Sequence, residues 1–557
     1  MLILGIHDGH NATAALLKDG EIIAAISEER LTRRKNEPGY PVRAINKVLE
    51  ITGFTPTDID YVALASEFLH PKEFYMDWNW YKRGYEEELH EKIDTEAFEQ
   101  YKNRRLEERK QTIMDHLGIA KDRIVVVEHH LAHASAAYFG YGKKGCLVLT
   151  LDGSGDGICA TVNRGLNRIA ETPNSASIGK IYSRVTYLLG MKPWEHEYKL
   201  MGLAPYASEE GVRKSYQVVK KLIRVDDGSL VFRNNGLSTN FCYQYLRKYL
   251  ENHRFDHIAG AVQKLTEDVV LKWVRNAMNY TSEREIACGG GVFMNVKLNM
   301  LLCDIVDNLF IFPSCGDESL AIGAAYYVYY KHENKMPEPF HNIYLGPKYT
   351  QEEVSSFCEQ LKNCTVYKSA NINKEIADLL SDGEIVARFN GRMEWGARAL
   401  GNRSILANPS DLNKVKELNT MIKARDFWMP FAPTILHERQ HDYILNEKEI
   451  ESPYMMVAFR TTKRARKELA AAVHPYDYTA RPQILERKSN PSYYDLIREF
   501  EKITGIGAVL NTSFNLHGEP IVCSLEDAFY TFMRSGLRFL AVGDYLIEKI
   551  IKSQRAC

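Results

Sequence analysis

The sequence predicts an α/β protein of two domains, the first over residues 1–340 and built by duplication, the second smaller and over 341–557. Three observations carry this reading. The chain has 557 residues, more than one hydrophobic core usually organises. A unit of apolar strand, Asp-Gly loop and apolar strand occurs twice. The polar, Pro-containing stretch Tyr330–Pro339 follows the apolar, helix-like run Leu320–Tyr330, and this shift in composition marks a boundary.

Taken in order, Leu2–His7 reads as a strand, Thr13–Leu17 as a second and Glu21–Ile26 as a third, with Lys18-Asp-Gly20 as a turn. The loop His7-Asp-Gly-His-Asn11 joins the first two. Residues 70–118 mix Phe74, Tyr75, Trp78, Trp80 and Tyr81 with many Glu, Lys and Arg, the texture of inserted helices with an aromatic and a charged face. Arg123–Val127 is a strand candidate, and Ala132–Phe139 belongs to a helix candidate. Cys146–Leu151, the loop Asp152-Gly-Ser-Gly-Asp-Gly157 and Ile158–Val162 then repeat the opening pattern. Two ordinary hairpins would look the same; a true duplication would place a site between the halves. A second α/β pattern begins near Thr350, with strands that include Glu384–Phe389 and Gly507–Leu510.

Composition excludes several classes. The 71 Lys and Arg against 72 Asp and Glu leave a formal net charge of −1, which gives no bulk attraction to nucleic acid or membrane. No apolar stretch reaches the roughly 18 residues that cross a bilayer. The start Met1–Ile6 is apolar without a cationic prefix, so it reads as a strand and not as a secretory signal. The ten cysteines show no C-x-x-C spacing and read as reduced thiols of a cytoplasmic protein.

Glu128-His-His-Leu-Ala-His133 carries the strongest metal signal. His129 and His133 stand four apart, so on a helix they share a face. A capped histidine pair on a helix surface would show the same spacing. Asp152 ends a buried-looking strand, and Asp317 opens a helix; a carboxylate in such a place is costly unless paired or metal-bound. This mixed N/O set suits Fe(II), Mn(II) or Zn(II) better than Ca(II). In Ile286-Ala-Cys-Gly-Gly-Gly-Val-Phe-Met-Asn295, Gly289, Gly290 and Gly291 bring backbone N–H groups to a helix start, either as an anion site or as a tight turn. The C-terminal half concentrates cations: Arg392, Arg398 and Arg403 among small residues, then Lys423, Arg425 and Arg481. Asn511, Ser513 and Asn515 supply further donors after a strand. Arginine forks grip phosphate, and so few acids nearby favour a polyanion site over surface ion pairs.

These motifs, in this order along nearly the whole chain, resemble the O-carbamoyltransferase family that includes tobramycin carbamoyltransferase, cephalosporin hydroxymethyl carbamoyltransferase and nodulation protein U. The residues that carry the resemblance are His7-Asp-Gly-His-Asn-Ala-Thr13, the His129/His133 pair, Asp152-Gly-Ser-Gly-Asp-Gly157, Lys199-Leu-Met-Gly-Leu-Ala-Pro-Tyr206, Gly289–Asn295, Gly391–Ser404 and Asn511-Thr-Ser-Phe-Asn-Leu-His-Gly-Glu-Pro520. The resemblance implies a duplicated, actin-like first domain, similar to the tRNA-threonylcarbamoyl-transferring protein, and a YrdC-like second domain. It implies that the second domain makes carbamoyl-adenylate from carbamoyl phosphate and ATP. The first would pass the carbamoyl group to a hydroxyl of a small-molecule acceptor, as in antibiotic and other natural-product biosynthesis.

On this chain it assigns His129, His133, Asp152 and Asp317 to a divalent metal, Fe(II) foremost, with Mg(II) accompanying ATP. Asp8 and His10 fall on the acceptor side, with His10 as candidate general base because an imidazole can take a hydroxyl proton. Lys199, Gly289–Gly291 and Asn295 would hold the adenylate. Arg398, Arg403, Lys423, Arg425, Arg481, Asn511, Ser513 and Asn515 would hold carbamoyl phosphate and ATP. The implied partners are these small molecules, with no nucleic acid and no membrane, and with room for a homodimer.

Two positions depart from the family pattern. Met429 stands where many members have a cation, and Tyr478 stands where Gly is frequent, which would reshape the loop before Arg481. The competing reading is an actin-like small-molecule kinase. It explains the repeated Asp-Gly hairpins but gives the His/Asp set and the cationic half no work. An RNA-binding reading lacks a basic stripe, and a metalloprotease lacks the H-E-x-x-H arrangement.

Overall fold

The structure is a computed structural model that describes residues 1–76 and 95–550; Trp78, Trp80 and Tyr81 of the aromatic insertion lie outside the described residues. It divides into two compact units: Met1–Thr32 with Asn36–His341, and Arg33–Lys35 with Asn342–Cys557.

The first unit holds two five-stranded sheets of the same design. In the first, β1 (Leu2–His7), β2 (Thr13–Lys18) and β3 (Glu21–Ser27) form an antiparallel meander, and β4 (Tyr61–Ala65) and β5 (Ile124–Val127) add in parallel on the other side of β1. The second repeats this with β6 (Leu147–Gly155), β7 (Ile158–Arg164), β8 (Asn167–Pro173), β9 (Glu285–Gly289) and β10 (Asn308–Ile311). The strand orders, β3-β2-β1-β4-β5 and β8-β7-β6-β9-β10, are identical in layout. The helices keep step as well. α1 (Thr95–Leu117) lies between β4 and β5, and α2 (His129–Tyr141) follows β5; α3 (Val296–Ile305) lies between β9 and β10, and α4 (Leu320–Glu333) follows β10. The repeated hairpin of the sequence is therefore a repeat of the whole α/β half.

Both first strands are apolar on both faces, as expected of strands covered on two sides. Leu2, Ile3, Leu4 and Ile6 are buried in one sheet and Leu147, Val148, Leu149 and Leu151 in the other. One boundary moves. The Asp-Gly loop expected after Leu151 is a continuation of β6, whose ladder steps from Leu151↔Ala160 to Gly155↔Ile158. Asp152, Gly153 and Ser154 bulge out of the ladder between these pairs, a device that re-aims side chains next to sites. The α2 helix begins earlier than its apolar stretch suggests, because Glu128 caps it by accepting from the N–H groups of His130 and Leu131.

The second unit is built on an eight-stranded mixed sheet. Its strands are β11 (Cys364–Lys368), β12 (Val386–Phe389), β13 (Arg403–Ala407), β14 (Ala432–Leu436), β15 (Gln483–Leu485), β16 (Ala508–Ser513), β17 (Phe539–Val542) and β18 (Tyr545–Lys549), in the order β11-β18-β17-β12-β13-β16-β14-β15. Ala387, Ile405, Leu510 and Leu540 of the central strands pack with Phe532 of the helix Leu525–Arg534 in its core. Among the described residues, no helix is long and apolar enough to cross a membrane.

Candidate active site

In the first unit the ends of β6, α2 and α4 converge. His129 and His133, one turn apart on α2, point their Nε2 atoms at Asp152 and Asp317. One ligand atom from each of the four residues lies within 4.8 Å of the other three. His129 Nε2 is 3.3 Å from Asp152 Oδ2 and 3.7 Å from Asp317 Oδ1; His133 Nε2 is 3.7 Å from Asp317 Oδ1. The opposite nitrogens are held: Ser66 Oγ lies 3.0 Å from His129 Nδ1, and Ser319 Oγ lies 3.3 Å from His133 Nδ1. Such partners fix ring orientation and leave Nε2 for a ligand. Gly155 belongs to the same design, since a Cβ there would sit 2.0 Å from the His129 ring.

The residues fit a divalent cation. His133 Nε2 is fully buried with no hydrogen-bond partner, and the set offers two imidazole nitrogens and two carboxylates. The electrostatics of the bare cluster agree. Burial opposes charge on His129, yet Asp317, Asp152 and Asp156 outweigh it and push the imidazole up to about 9. Burial would raise Asp317, but His10, His129, His133 and His7 hold it well below the ordinary carboxylate range.

His10 stands beside this cluster. Its Nδ1 is 3.3 Å from Asp317 Oδ2, and its ring stacks on Trp194 at 5.2 Å. The loop beneath it is fixed by His7, which burial pushes down to about 4, and whose Nε2 lies 3.0 Å from the His10 carbonyl. Asp8 is placed differently. Its carboxylate is gripped by Arg109 of α1, with Nε to Oδ2 at 2.9 Å and Nη2 to Oδ1 at 2.8 Å.

The triple glycine packs against the cluster. Gly290 has φ +101° with the Leu151 carbonyl 2.4 Å from where a Cβ would be, and the Gly291 N–H donates to Asp152 Oδ1 at 3.3 Å. Asn295 caps α3 by accepting from the Leu298 N–H and exchanges hydrogen bonds with Gln263. Lys199 is buried in the short helix Glu197–Leu203.

In the second unit the π-turn Asn419–Lys423 buries Lys423. Its ammonium donates to Ser513 and Asn515, to Ser513 Oγ at 3.2 Å and Asn515 Oδ1 at 2.8 Å. Burial first, then Arg425 and Lys35, push Lys423 well below the usual lysine range. Arg481 is lowered in the same way by burial, Arg398 and Arg425, and its Nη1 is buried without a partner. Asn511 donates to the Ala399 carbonyl at 3.1 Å and leaves Oδ1 buried and unpaired. Like charges depress one another here with no acid among the causes. Arg403 is placed apart from this field: its guanidinium lies 3.6 Å over Phe389 and donates to the carbonyls of Asn390, Gly391 and Asn402. Tyr478 takes φ +56°, a left-handed backbone on a non-glycine residue. Met429 is buried.

Sequence reasoning missed Arg109, Ser66, Ser319, Trp194 and Lys35. Arg109 sits in a helix crowded with Glu, Lys and Arg, and only its spacing with Ile113 and Leu117, both buried, marks its face. Ser66 and Trp194 have φ +68° and +63°, which no local pattern announces.

Fold and site together define a two-unit α/β protein with a candidate mononuclear metal centre in a duplicated half-and-half unit and a cation-lined site in the other. The family described as Carbamoyltransferase N-terminus matches residues 2–326, and that described as Carbamoyltransferase C-terminus matches 377–549. The chain belongs to the carbamoyltransferase family. It is 31% identical over 559 residues to nodulation protein NolNO of Sinorhizobium fredii, across 97% of this chain and 79% of that protein. It is 33% identical over 581 residues to an uncharacterized protein of Methanocaldococcus jannaschii, across 99% of this chain and 100% of that one. Among solved structures, it is similar to component A of (R)-2-hydroxyglutaryl-CoA dehydratase from Acidaminococcus fermentans, at 16% identity and a TM-score of 0.35, over 60% of this chain and 99% of that one.

Proposed function

We propose that the chain is an ATP- and carbamoyl-phosphate-dependent O-carbamoyltransferase acting on a hydroxylated small molecule, with an actin-like first unit and a YrdC-like second one. The observation that carries the donor half is the crowding of cations on Lys423 and Arg481: burial, Arg425 and Lys35 depress the first, and burial, Arg398 and Arg425 the second. Buried cations without acids are stable when an anion completes them. Phosphates of carbamoyl phosphate and Mg(II)-ATP are such anions, and Ser513, Asn515 and Asn511 offer polar groups for the carbamoyl end. With one water, carbamoyl phosphate and ATP give carbamoyl-adenylate, phosphate and pyrophosphate: the carbamoyl–phosphate linkage is hydrolysed, and the resulting carbamate oxygen attacks the α-phosphorus.

In the first unit the acceptor hydroxyl oxygen forms a bond to the carbamoyl carbon, and the bond to AMP breaks. His10 hydrogen-bonded through Nδ1 to Asp317 presents Nε2 to take the hydroxyl proton. Trp194 fixes the plane of that ring. The four-residue donor set would hold Fe(II), which when bound supplies Lewis-acid stabilisation of phosphate and carbamoyl oxygens. Dependence on ATP and carbamoyl phosphate supports a cytoplasmic site of action.

The test is incubation of the full chain with ATP, carbamoyl phosphate, Mg(II) and Fe(II), following pyrophosphate and the mass of carbamoyl-adenylate. Carbamoyl-phosphate-dependent pyrophosphate is the expected result. ADP without pyrophosphate would replace this reading with a kinase.

A further inference from the structure

We propose that Arg109 is a positioning residue for the metal centre, and that Asp8 serves to hold Arg109 and is not itself a proton acceptor in the reaction. The inference rests on the reading of His129, His133, Asp152 and Asp317 as a metal site.

A guanidinium has five N–H donors in a rigid fork. All five of Arg109 are used. Nε and Nη2 bind the two oxygens of Asp8 at 2.9 and 2.8 Å. Nη2 also donates to the Ala65 carbonyl at 2.7 Å, and Nη1 to those of Ser66 and Glu67 at 2.8 and 3.4 Å. Arg109 is 4% exposed and Asp8 8%. The carbonyls belong to the end of β4 and the residues that follow it, where the chain turns sharply at Ser66 with φ +68°. A non-glycine residue persists in that region only when its surroundings over-determine it. Here they do: the Ser66 N–H donates to the Val127 carbonyl at 2.8 Å, its own carbonyl accepts from Arg109, and its hydroxyl lies 3.0 Å from His129 Nδ1. A continuous chain of contacts therefore runs from Asp8 through Arg109 and Ser66 to His129. Both Asp8 oxygens being committed to a bidentate pair, the carboxylate is poorly placed to take a proton from an acceptor.

The test is anaerobic titration of the full chain with Fe(II), and with Co(II) for its ligand-field spectrum, in wild type, Arg109→Gln, Arg109→Lys, Asp8→Asn, Ser66→Ala and the double variant Asp8→Asn/Arg109→Gln. Outer partners of metal ligands typically change affinity by about 10–100-fold. Arg109→Gln is expected to weaken binding within that range and to shift the Co(II) bands, with Arg109→Lys recovering part of the loss. Ser66→Ala should give the same spectral shift. Asp8→Asn should weaken binding only a few-fold, and the double variant should bind no worse than Arg109→Gln, as for residues acting through one contact. If Arg109→Gln does not fold, Ser66→Ala and Arg109→Lys decide. Unchanged affinity and spectrum in the folded Arg109 and Ser66 variants would overturn the proposal. So would Asp8→Asn that binds metal like wild type and forms the adenylate but fails to transfer. A wild type that binds no metal sinks both the metal reading and this inference; intact metal binding without carbamoyl-phosphate-dependent pyrophosphate sinks the carbamoyl reading alone.

Discussion

Asp8 and Asp152 occupy matching places in the two halves of the first unit, each followed by glycine at the end of the central strand, yet their surroundings are opposite. Asp8 is closed off by the Arg109 fork. Asp152 instead faces two histidines: its Oδ2 lies 3.3 Å from His129 Nε2 and 4.0 Å from His133 Nε2, and its Oδ1 accepts from the Gly291 N–H at 3.3 Å. The difference comes from what each half places beside the same strand. Between β4 and β5 the first half carries the 23-residue helix α1, which delivers Arg109 to Asp8; between β9 and β10 the second half carries the 10-residue α3, which begins beyond the triple glycine whose Gly291 N–H donates to Asp152. Duplication supplied two equivalent carboxylates, and the connecting helices decided which one stays available.

The largest effects should come from removing the groups that make one centre unlike everything else. Lys423→Ala should abolish carbamoyl-phosphate-dependent pyrophosphate formation while leaving the Fe(II) titration of the first unit unchanged, since its contacts lie in the second unit. Asp317→Asn should lower Fe(II) affinity by more than about 100-fold, beyond the range of outer-partner changes, because Asp317 Oδ1 lies 3.7 Å from both histidines. Next, the equivalent substitutions Asp152→Asn and Asp8→Asn should separate by at least about tenfold in metal affinity, with Asp152→Asn the weaker binder; equal affinities would erase the contrast between the halves. The smallest effect belongs to Tyr478→Gly. Relief of a left-handed residue is worth about 1–2 kcal/mol, offset by about 0.5–1 kcal/mol for the Arg466 guanidinium lost from the Tyr478 ring and by the backbone entropy of glycine. Chemical denaturation should therefore show a change within about 1 kcal/mol.

Much of this was legible in the sequence because it follows from short-range pattern. The repeated strand–Asp-Gly–strand unit foretold the duplicated α/β half, and the i, i+4 spacing of His129 and His133 foretold their shared face. Asp317 was legible from its place before a helix. What escaped was set by contacts across the chain. Arg109 looks like any charge on a solvated helix until 101 residues of separation are closed onto Asp8. The sequence grouped Arg403 with the phosphate-binding cations from its Gly/Arg/Ser stretch, but could not show that a position on β13 also sets its guanidinium over Phe389 and against backbone carbonyls. The cap that Asn295 gives to α3 and its pairing with Gln263 were likewise not legible beside the expectation that it holds the adenylate. Lys35 was invisible because nothing local says that Arg33–Lys35 belongs to the second unit, where Arg33 donates to the Pro520 and Ile521 carbonyls at 2.8 and 2.7 Å.

On the proposed reading, donor activation falls to the second unit and the metal centre to the first. Carbamoyl-phosphate-dependent exchange of labelled pyrophosphate into ATP, measured on the Asp317→Asn chain, tests that division directly. Exchange close to the wild-type rate in a chain that no longer binds Fe(II) is the predicted result. Exchange lost together with the metal would contradict it.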